Sequence, residues 1–342
     1  MMRITSLLFS PVLVLTMVFE VQANPPAAAT PAQAKPRPTA VTDPAEAGPD
    51  FAVQGEYVGS APWKDGKEKK YGIQIIALGD GKFHGVAFFG GLPGDGWDKK
   101  TKLEADSEKK DGGVIFFPRK DGSATWKDGV LTVQNHDGKT VCTMNKVCRK
   151  SPTLGAKPPA GAIVLFDGTS ADAWVNGRMT PDHLLMEGPT SKQKFQNYTA
   201  HVEFMIPFMP AARGQGRGNS GYYAQSRYEV QVLDSFGLPP KNNECGGIYG
   251  VAAPEITMSF PPLSWQTYDV DFTAAEFKDG KKVKDAQMTV RHNGVQVLKD
   301  CKVPHTTTAA PLHTEGPEPG PIYLQNHGNA VRFRNVWVVE KK

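Results

Sequence analysis

The chain has 342 residues, a formal net charge of +4, 39% hydrophobic residues and 22% charged residues. This length is sufficient for two domains with separate cores, and the composition is that of a globular protein. The basic residues are scattered and form no continuous stripe, so the sequence argues against a nucleic-acid partner.

Residues 1–23 have the pattern of a secretory signal peptide. Arg3 supplies a positive charge, residues 7–19 are mostly apolar, and Val21-Gln22-Ala23 forms a small-x-small cleavage site. The apolar run is too short for a stable membrane span. We therefore expect a secreted or periplasmic protein with no membrane span after cleavage of the signal. An uncleaved N-terminal anchor is the alternative.

Residues 24–49 are rich in Ala and Pro, which is typical of a mobile linker. Residues 50–150 are predicted to form a small all-β module, because apolar and β-branched runs alternate with Gly-containing turns. Within it, residues 71–78 and 82–89 flank Gly79-Asp80-Gly81 and predict a hairpin. The role of this module, whether sugar binding or packing against its neighbour, is left open by its sequence.

A second short linker at residues 151–159 precedes a larger domain at residues 161–342. At least ten short strands are predicted there, with turn signals at close spacing and no long segment of helical periodicity. This pattern favours a β-sandwich made of two sheets.

One strand is predicted between the turn signals at residues 218–221 and 234–235. Side chains alternate between the two faces of a strand, so Arg227, Glu229 and Gln231 are expected to share one face. The opposite face is apolar, as a core requires. A cation, an anion and an amide in one row predict a functional site built on this strand.

The second half of the predicted site lies near the C-terminus. Tyr323, Gln325 and His327 alternate with apolar residues before a turn at residues 328–329. Arg332 and Arg334 alternate with apolar residues after it. A hairpin with this turn would bring Gln325, His327 and the two arginines close together.

Export would permit disulfide bonds between the four cysteines. Of the three possible pairings, shared domains favour Cys142 with Cys148 and Cys245 with Cys301. A zinc site is the weaker interpretation, because the chain has no pair of CxxC motifs and no His at ligand spacing.

Motifs spread over residues 161–340 resemble the 3-keto-disaccharide hydrolase family, whose activity is that of a 3-keto-glucoside 1,2-lyase and 3-keto-2-hydroxy-glucal hydratase. The resemblance implies a concanavalin-like jelly-roll sandwich, here joined to the smaller N-terminal all-β module. The motifs that carry it are Leu165-Phe166-Asp167-Gly168, Gly218-Asn219-Ser220-Gly221, Tyr228-Glu229-Val230-Gln231-Val232-Leu233-Asp234, Gly247-Ile248-Tyr249-Gly250, Trp265-Gln266-Thr267-Tyr268, His292-Asn293-Gly294, Gly320-Pro321-Ile322-Tyr323-Leu324-Gln325-Asn326-His327-Gly328 and Val331-Arg332-Phe333-Arg334-Asn335.

The resemblance implies cleavage of glycosides that are already oxidised at C3. The keto group acidifies the C2 proton, so a base can remove it and the C1 oxygen can leave by β-elimination. Water then adds to the double bond, and the net result is hydrolysis. This chemistry needs a base, an acid near the leaving oxygen and a group that stabilises the enolate. A divalent metal ion could serve as that stabiliser.

Residue chemistry supplies candidates for each role. Glu229 or His327 is the expected base, and Arg332, Arg334 or a metal ion the expected enolate stabiliser. The alternative for Glu229 and the arginines is a structural ion pair, and Trp265 has a core position as its alternative. The residues expected to contact an oligosaccharide or glycoside substrate are Asn219, Tyr223, Arg227, Gln231, Trp265, Tyr323 and Gln325.

Gln231 stands where a retaining jelly-roll glycosidase would place a second carboxylate beside Glu229. The strand therefore favours elimination over the mechanism with two carboxylates. A non-catalytic carbohydrate-binding β-sandwich is the competing interpretation, because the same polar face could hold a glycan without cleaving it.

Overall fold

The computed structural model describes residues 39–62, 66–109 and 113–341. The predicted signal peptide and most of the first linker lie outside these ranges. Within them, no helix has the length and apolar character needed to cross a membrane. Residues from Pro38 onward belong to one compact unit, so the division into domains at residues 50–150 and 161–342 stays a prediction.

The N-terminal module begins with a 3-10 helix, Pro44–Glu46, and a short helix α1, Gly48–Val53. Antiparallel strands follow in a meander, in which every strand pairs with the next one in the chain except β4 with β5. They are β1 (Gly55–Pro62), β2 (Glu68–Gly79), β3 (Lys82–Phe89), β4 (Lys102–Asp106), β5 (Glu108–Lys109), β6 (Ile115–Arg119), β7 (Gly122–Lys127), β8 (Val130–Asn135) and β9 (Thr140–Val147). The predicted all-β module and its β2–β3 hairpin are confirmed.

This sheet closes into a barrel. The last strand, β9, pairs with the first, β1. Strands β4 and β5 are separated only by Ser107, and β4 pairs with β3 whereas β5 pairs with β6. Because β4 and β5 form one bent strand with a neighbour on each side, the ring contains eight strands.

Residues 39–49 differ from the predicted linker. The backbone of Val41 exchanges two hydrogen bonds with Phe208, at 3.0 and 2.8 Å. Asp43 caps the 3-10 helix by accepting a hydrogen bond from the Ala45 amide at 2.9 Å. This part of the Ala/Pro-rich stretch therefore has backbone partners that composition alone did not indicate.

The C-terminal part is the predicted two-sheet sandwich. One sheet has the order β10-β23-β14-β17-β20-β21, with β12 also paired to β23, and the other has the order β11-β13-β22-β15-β16. The strands are β10 (Ile163–Phe166), β11 (Trp174–Val175), β12 (Leu185–Met186), β13 (Thr190–Phe195), β14 (Tyr198–Met205), β15 (Ser220–Ala224), β16 (Tyr228–Val232), β17 (Trp265–Thr273), β18 (Glu276–Lys278), β19 (Lys281–Lys284), β20 (Ala286–His292), β21 (Val295–Val303), β22 (Gly320–Leu324) and β23 (Arg332–Glu340). Strands β18 and β19 form a separate pair.

We call the first sheet of the sandwich the outer sheet and the second the site sheet. Apolar side chains that alternate along both sheets fill the space between them, including Phe204 and Phe333 from the outer sheet and Tyr222 and Val230 from the site sheet. Burial of each large side chain contributes roughly 1.5–3 kcal/mol. The packed core therefore provides a rigid support for the opposite face of the site sheet.

The stretch at residues 218–235 is a hairpin and not the single strand that we predicted. Strands β15 and β16 pair in the register Gly221↔Gln231 and Tyr223↔Glu229. Gln225 and Ser226 form the turn with φ angles of 50° and 53°, which is unusual without Gly or Asn. Buried contacts of Gln225 with the Phe195 carbonyl offset this backbone preference.

The segment after the barrel is attached to the outer sheet. The hydroxyl groups of Ser151 and Thr153 lie 2.6 and 3.0 Å from the Thr267 hydroxyl, and Thr153 donates to Asp269 at 2.8 Å. The predicted second linker is thus held by side-chain hydrogen bonds along the sandwich.

Two arginines that form ion pairs also contact both the barrel and the sandwich. Arg149 lies 2.7 Å from Glu56 of β1 through Nε and packs over the ring of Phe260. Arg217 pairs with Asp234 at 2.5 Å and donates to the carbonyl of Ala77 in β2 at 3.1 Å. The Arg217 contact holds the loop before β15 against the barrel.

The predicted disulfide bonds are wrong, because all four cysteines are free. Cys142 lies in β9 and Cys148 follows the end of the same strand. An extended strand advances about 3.3 Å per residue, which separates the two far beyond bridging distance. Cys245 is buried with its sulfur 3.0 Å from the Tyr268 hydroxyl, and Cys301 lies in β21.

Candidate active site

A cleft of about 160 Å³ opens on the face of the site sheet that points away from the core. Strand β16 and the residues next to β15 and β22, Asn219 and Gln325, supply its floor, and loop residues supply its walls. The residues that line it are Gln215, Asn219, Glu229, Gln231, Tyr249, Thr308, Ala309, Gln325 and His327. We refer to this site as the cleft.

Glu229 lies on the floor of the cleft and is 3% exposed. Its carboxyl group occupies the space above Gly221, where an added Cβ would lie 2.5 Å from Glu229 Oε1. Burial raises the pKa of Glu229 to about 8, although the Tyr223 hydroxyl acts in the opposite direction. Such a carboxyl group gains and loses its proton near neutral pH, which is where a catalytic acid or base is most effective.

A single amide orients two others in the cleft. Gln215 Oε1 accepts a hydrogen bond from Asn219 Nδ2 at 3.0 Å and from Gln231 Nε2 at 2.9 Å. Because the amide nitrogens of both residues are used in this way, their oxygens remain as acceptors. Asn219 Oδ1 and Gln231 Oε1 are buried and have no hydrogen-bond partner within the described residues.

A third amide follows the same pattern. Gln325 Nε2 donates to the Tyr223 hydroxyl at 3.0 Å, and that hydroxyl donates to the Thr308 carbonyl at 3.3 Å. Gln325 Oε1 is the third acceptor in this region without a partner among the residues described. Buried acceptors of this kind are costly unless a ligand or water donates to them. The three oxygens match the hydroxyl donors of a sugar.

The loop at residues 304–319 forms one wall of the cleft. The Glu229 amide donates to Thr307 Oγ1 at 2.9 Å, which ties the loop to β16. Arg227 donates to the carbonyls of Thr314 and Glu318 at 3.0 and 3.1 Å. Arg227 is therefore placed under the loop, and not in the lining of the cleft where we expected it to meet substrate.

His327 stands at the rim in the exposed loop after β22 and lines the same cleft as Glu229. Tyr323 and Tyr223 are paired beneath this region, with ring centroids 5.5 Å apart. The Tyr323 hydroxyl accepts a hydrogen bond from the Asn326 amide at 3.2 Å. Both tyrosines thus support the floor and the rim loop and do not themselves line the cleft.

The two arginines near the C-terminus lie elsewhere, so their predicted catalytic role is wrong. The segment after Gly328 does not fold back beside β22 but enters the outer sheet as β23. Arg332 pairs there with Glu187 at 2.8 Å. Arg334 pairs with Glu203 at 2.7 Å, so the alternative of structural ion pairs holds, although with partners other than Glu229.

Trp265 is also in the outer sheet, in β17, and not in the cleft. The Arg334 guanidinium packs over its ring at 4.0 Å from the centroid. This cation–π contact on the far sheet replaces the predicted stacking on a sugar.

Four residues of the cleft were missed by sequence reasoning: Gln215, Tyr249, Thr308 and Ala309. Tyr249 stands in the motif at residues 247–250, which carried the family resemblance but offered no separate sign of a role. Gln215 lies in a Gly-flanked 3-10 turn, and Thr308 and Ala309 lie in a Pro/Thr-rich loop. Loop residues of this kind have no periodicity from which their direction can be read.

A cluster of three or more His, Cys, Asp or Glu side chains that could bind a metal ion does not occur in the described parts of the chain. The groups in the cleft that could coordinate a metal ion are the Glu229 carboxylate, the His327 imidazole and the side-chain amide oxygens.

Residues 161–339 match the family described as the 3-keto-alpha-glucoside-1,2-lyase-like domain. The chain belongs to this family. Family membership makes it a carbohydrate-active enzyme, and the matched residues contain the sandwich and every residue of the cleft.

Two solved structures from Parabacteroides distasonis ATCC 8503, each named a candidate glycosyl hydrolase, are similar to this member of the 3-keto-alpha-glucoside-1,2-lyase-like family. One is 32% identical, with 54% of this chain and 85% of that chain covered and a TM-score of 0.49. The other is 20% identical, with 53% of this chain and 99% of that chain covered and a TM-score of 0.37. No functionally curated protein matches the chain.

Proposed function

We propose that this protein cleaves 3-keto-glycosides by removal of the C2 proton, β-elimination of the C1 substituent and hydration, with Glu229 as the base. The observation that carries the proposal is the buried Glu229 carboxyl group, whose pKa of about 8 reflects a desolvated site beneath a cleft. Family membership supports the same chemistry.

The reaction begins with ionised Glu229. Its carboxylate takes the proton from C2, and the electron pair of the C–H bond forms the enolate of the C3 ketone. Collapse of the enolate creates the C1–C2 double bond and expels the C1 oxygen, which takes a proton. Hydration returns hydroxide to C1 and a proton to C2. Burial makes Glu229 a stronger base than an exposed carboxylate, because protonation removes a poorly solvated charge.

The remaining groups of the cleft have roles that fit their positions. The three acceptor oxygens of Asn219, Gln231 and Gln325 receive hydrogen bonds from sugar hydroxyls. His327 at the rim supplies the proton to the leaving oxygen. Tyr249 takes the role of hydrogen-bond donor to the enolate oxygen that we had predicted for Arg332 and Arg334, since it lines the cleft and carries a hydroxyl group.

The number of carboxylates in the cleft argues against ordinary glycoside hydrolysis. Glu229 is the only Asp or Glu side chain among the described residues that line it. A glycosidase with two carboxylates needs a second one about 5–9.5 Å away. Gln231 stands beside Glu229 with its amide held by Gln215 at 2.9 Å. Elimination needs one base and therefore fits this set of residues better.

The decisive experiment incubates the mature protein with a 3-keto-glucoside that carries a chromogenic leaving group, alongside the unoxidised glucoside. Release from the keto substrate alone is the expected result. Parallel reactions with EDTA test whether a divalent metal ion takes part in enolate stabilisation. Release from the unoxidised glucoside at an equal rate would contradict the proposal.

A non-catalytic sugar-binding role is the second candidate, because the three unpartnered acceptors suit a bound glycan as well as a reacting one. Saturable binding of a 3-keto-glucoside without any release of its leaving group would favour this candidate over the enzyme.

We further propose that the protein is exported, on the basis of the signal-like residues 1–23. N-terminal sequencing of the protein recovered from the periplasm or medium should begin at Asn24. A chain retained in the membrane with its N-terminus intact would favour the uncleaved anchor.

A further inference from the structure

The barrel contains a cavity that plays no part in the proposed reaction. Its volume is about 140 Å³, and it shares no lining residue with the cleft. Inward-facing residues of six neighbouring strands, from β2 to β4 and from β6 to β8, form its wall. An eight-stranded barrel is wide enough either to be filled by its own side chains or to hold one small ligand.

Small side chains leave the space open. Ala87 and Ala124 line the same cavity. Larger inward residues at these positions would complete the core, as they do between the two sheets of the sandwich.

Strand pairing is short at one place in the barrel wall beside the cavity. Among the described residues, β6 pairs with the bent strand only through Glu108↔Phe116 and Lys109↔Ile115. Beyond this point Arg119 crosses from β6 to the Glu104 carbonyl at 2.8 Å, and both residues line the cavity. Because Arg119 also pairs with Asp121 at 3.0 Å, its charge is already balanced. The Glu104 carboxylate pairs with Lys102 at 2.5 Å, so the charges of the cavity lining are balanced and do not favour an ionic ligand.

We propose that the N-terminal barrel binds a small, uncharged apolar molecule, or an apolar group of a larger one, in this cavity. The wall is built mainly from Ile, Leu, Val, Phe and Ala side chains, and the three charged residues that line it, Glu104, Arg119 and Asp121, all have partners of opposite charge. An apolar cavity of about 150 Å³ stays dry and accepts benzene, so a single aromatic ring or a short branched alkyl group matches the volume here. Concave sites of this type occur in the mouths of β-barrels.

The test uses 4-fluorotoluene as the probe and follows its fluorine NMR line width during titration with the mature protein. Wild-type protein should broaden the line saturably. Ala124→Leu fills the cavity and should weaken binding at least tenfold. Thr125→Leu places the same side chain on the outer face of the same strand and should leave binding unchanged. Ala87→Leu repeats the filling from β3 in case the first variant does not fold.

Excess toluene should displace the probe, whereas excess glucose should not. Absence of saturable broadening would overturn the proposal. Undiminished binding in a folded Ala124→Leu or Ala87→Leu variant would also overturn it, since the probe would then bind elsewhere. Displacement by glucose would overturn the apolar assignment and make the cavity a sugar site.

Discussion

The barrel and the sandwich are both antiparallel and all-β, but they differ in where they leave space. In the barrel the sheet curves into a ring, and a mainly apolar cavity lies inside it. The sandwich packs large apolar side chains between its two sheets and opens a polar cleft on the outside of one of them. Reaction chemistry needs fixed polar groups, and the filled core behind β15 and β16 provides the rigidity that holds them.

The largest expected effect that separates the two regions comes from Glu229→Gln. The amide keeps the shape of the side chain but cannot accept the C2 proton. Turnover of a 3-keto-glucoside should fall by about 10²–10⁴-fold with a small change in KM. The exposed Glu276→Gln serves as the matched control and should keep full turnover. Equal rates in Glu229→Gln and wild type would remove Glu229 from the role of base.

Gly221→Ala should give the next largest loss. Its methyl group would meet Glu229 Oε1 at 2.5 Å, so the carboxyl group must move. Displacement of a reacting group by about 1 Å can cost roughly 100-fold in rate. Gly216→Ala, in the nearby 3-10 turn, has no atom within 4 Å of the added Cβ and should be nearly neutral. A thermal melt of each variant first verifies that it is folded, and initial rates are then compared. Equal rates in Gly221→Ala and Gly216→Ala would contradict this prediction.

The pH profile should follow the titration of Glu229. With a pKa of about 8, the carboxyl group is mostly protonated at pH 6 and half ionised at pH 8. A base acts in its ionised form, so kcat/KM should rise about 50-fold between these two pH values. A profile that falls over the same interval would make Glu229 the acid.

Stability should show the opposite trend. The folded-state pKa of Glu229 is raised above its unfolded value of 4.5, so the wild type loses stability relative to Glu229→Gln as pH rises from 4.5 through 8. Each pKa unit corresponds to about 1.4 kcal/mol. Chemical denaturation at pH 5 and pH 8 measures this difference. A gap in unfolding free energy between the two proteins that is equal at both pH values would contradict the assignment of a raised pKa.

Arg334→Ala should reduce stability without affecting the cleft. Burial alone would raise the pKa of Glu203, but hydrogen bonds from His201, Asn335 and Arg334 lower it to about 2. Loss of the Arg334 contact should cost about 1–3 kcal/mol at pH 7. Because a lowered pKa stabilises above pH 4.5 and this gain fades as pH falls towards 2, the deficit should shrink in acid. A change in KM would place Arg334 back in the site.

The smallest effect is expected from Ala124→Leu in the barrel. Filling the cavity should raise unfolding free energy by up to about 1 kcal/mol. Turnover of the 3-keto substrate should stay at the wild-type rate, because the barrel cavity and the cleft share no residue. A loss of turnover comparable to that of Gly221→Ala would show that the two regions are coupled.

Alternation of polar and apolar residues together with turn signals was enough to predict the all-β class, the two-sheet sandwich and the hairpin at Gly79-Asp80-Gly81. The same alternation placed Glu229 and Gln231 on one face, and this placement survived even though the stretch proved to be a hairpin. Strand periodicity is a local property, so the sequence displays it directly.

Which strands face one another was decided only by the tertiary structure. Arg332 and Gln325 are close in sequence, but the chain changes sheet between them, and their side chains end on different surfaces. The closure of the barrel depends likewise on one bent strand with a neighbour on each side. Pairing between distant segments results from how apolar faces can be buried together, and no local pattern records that choice.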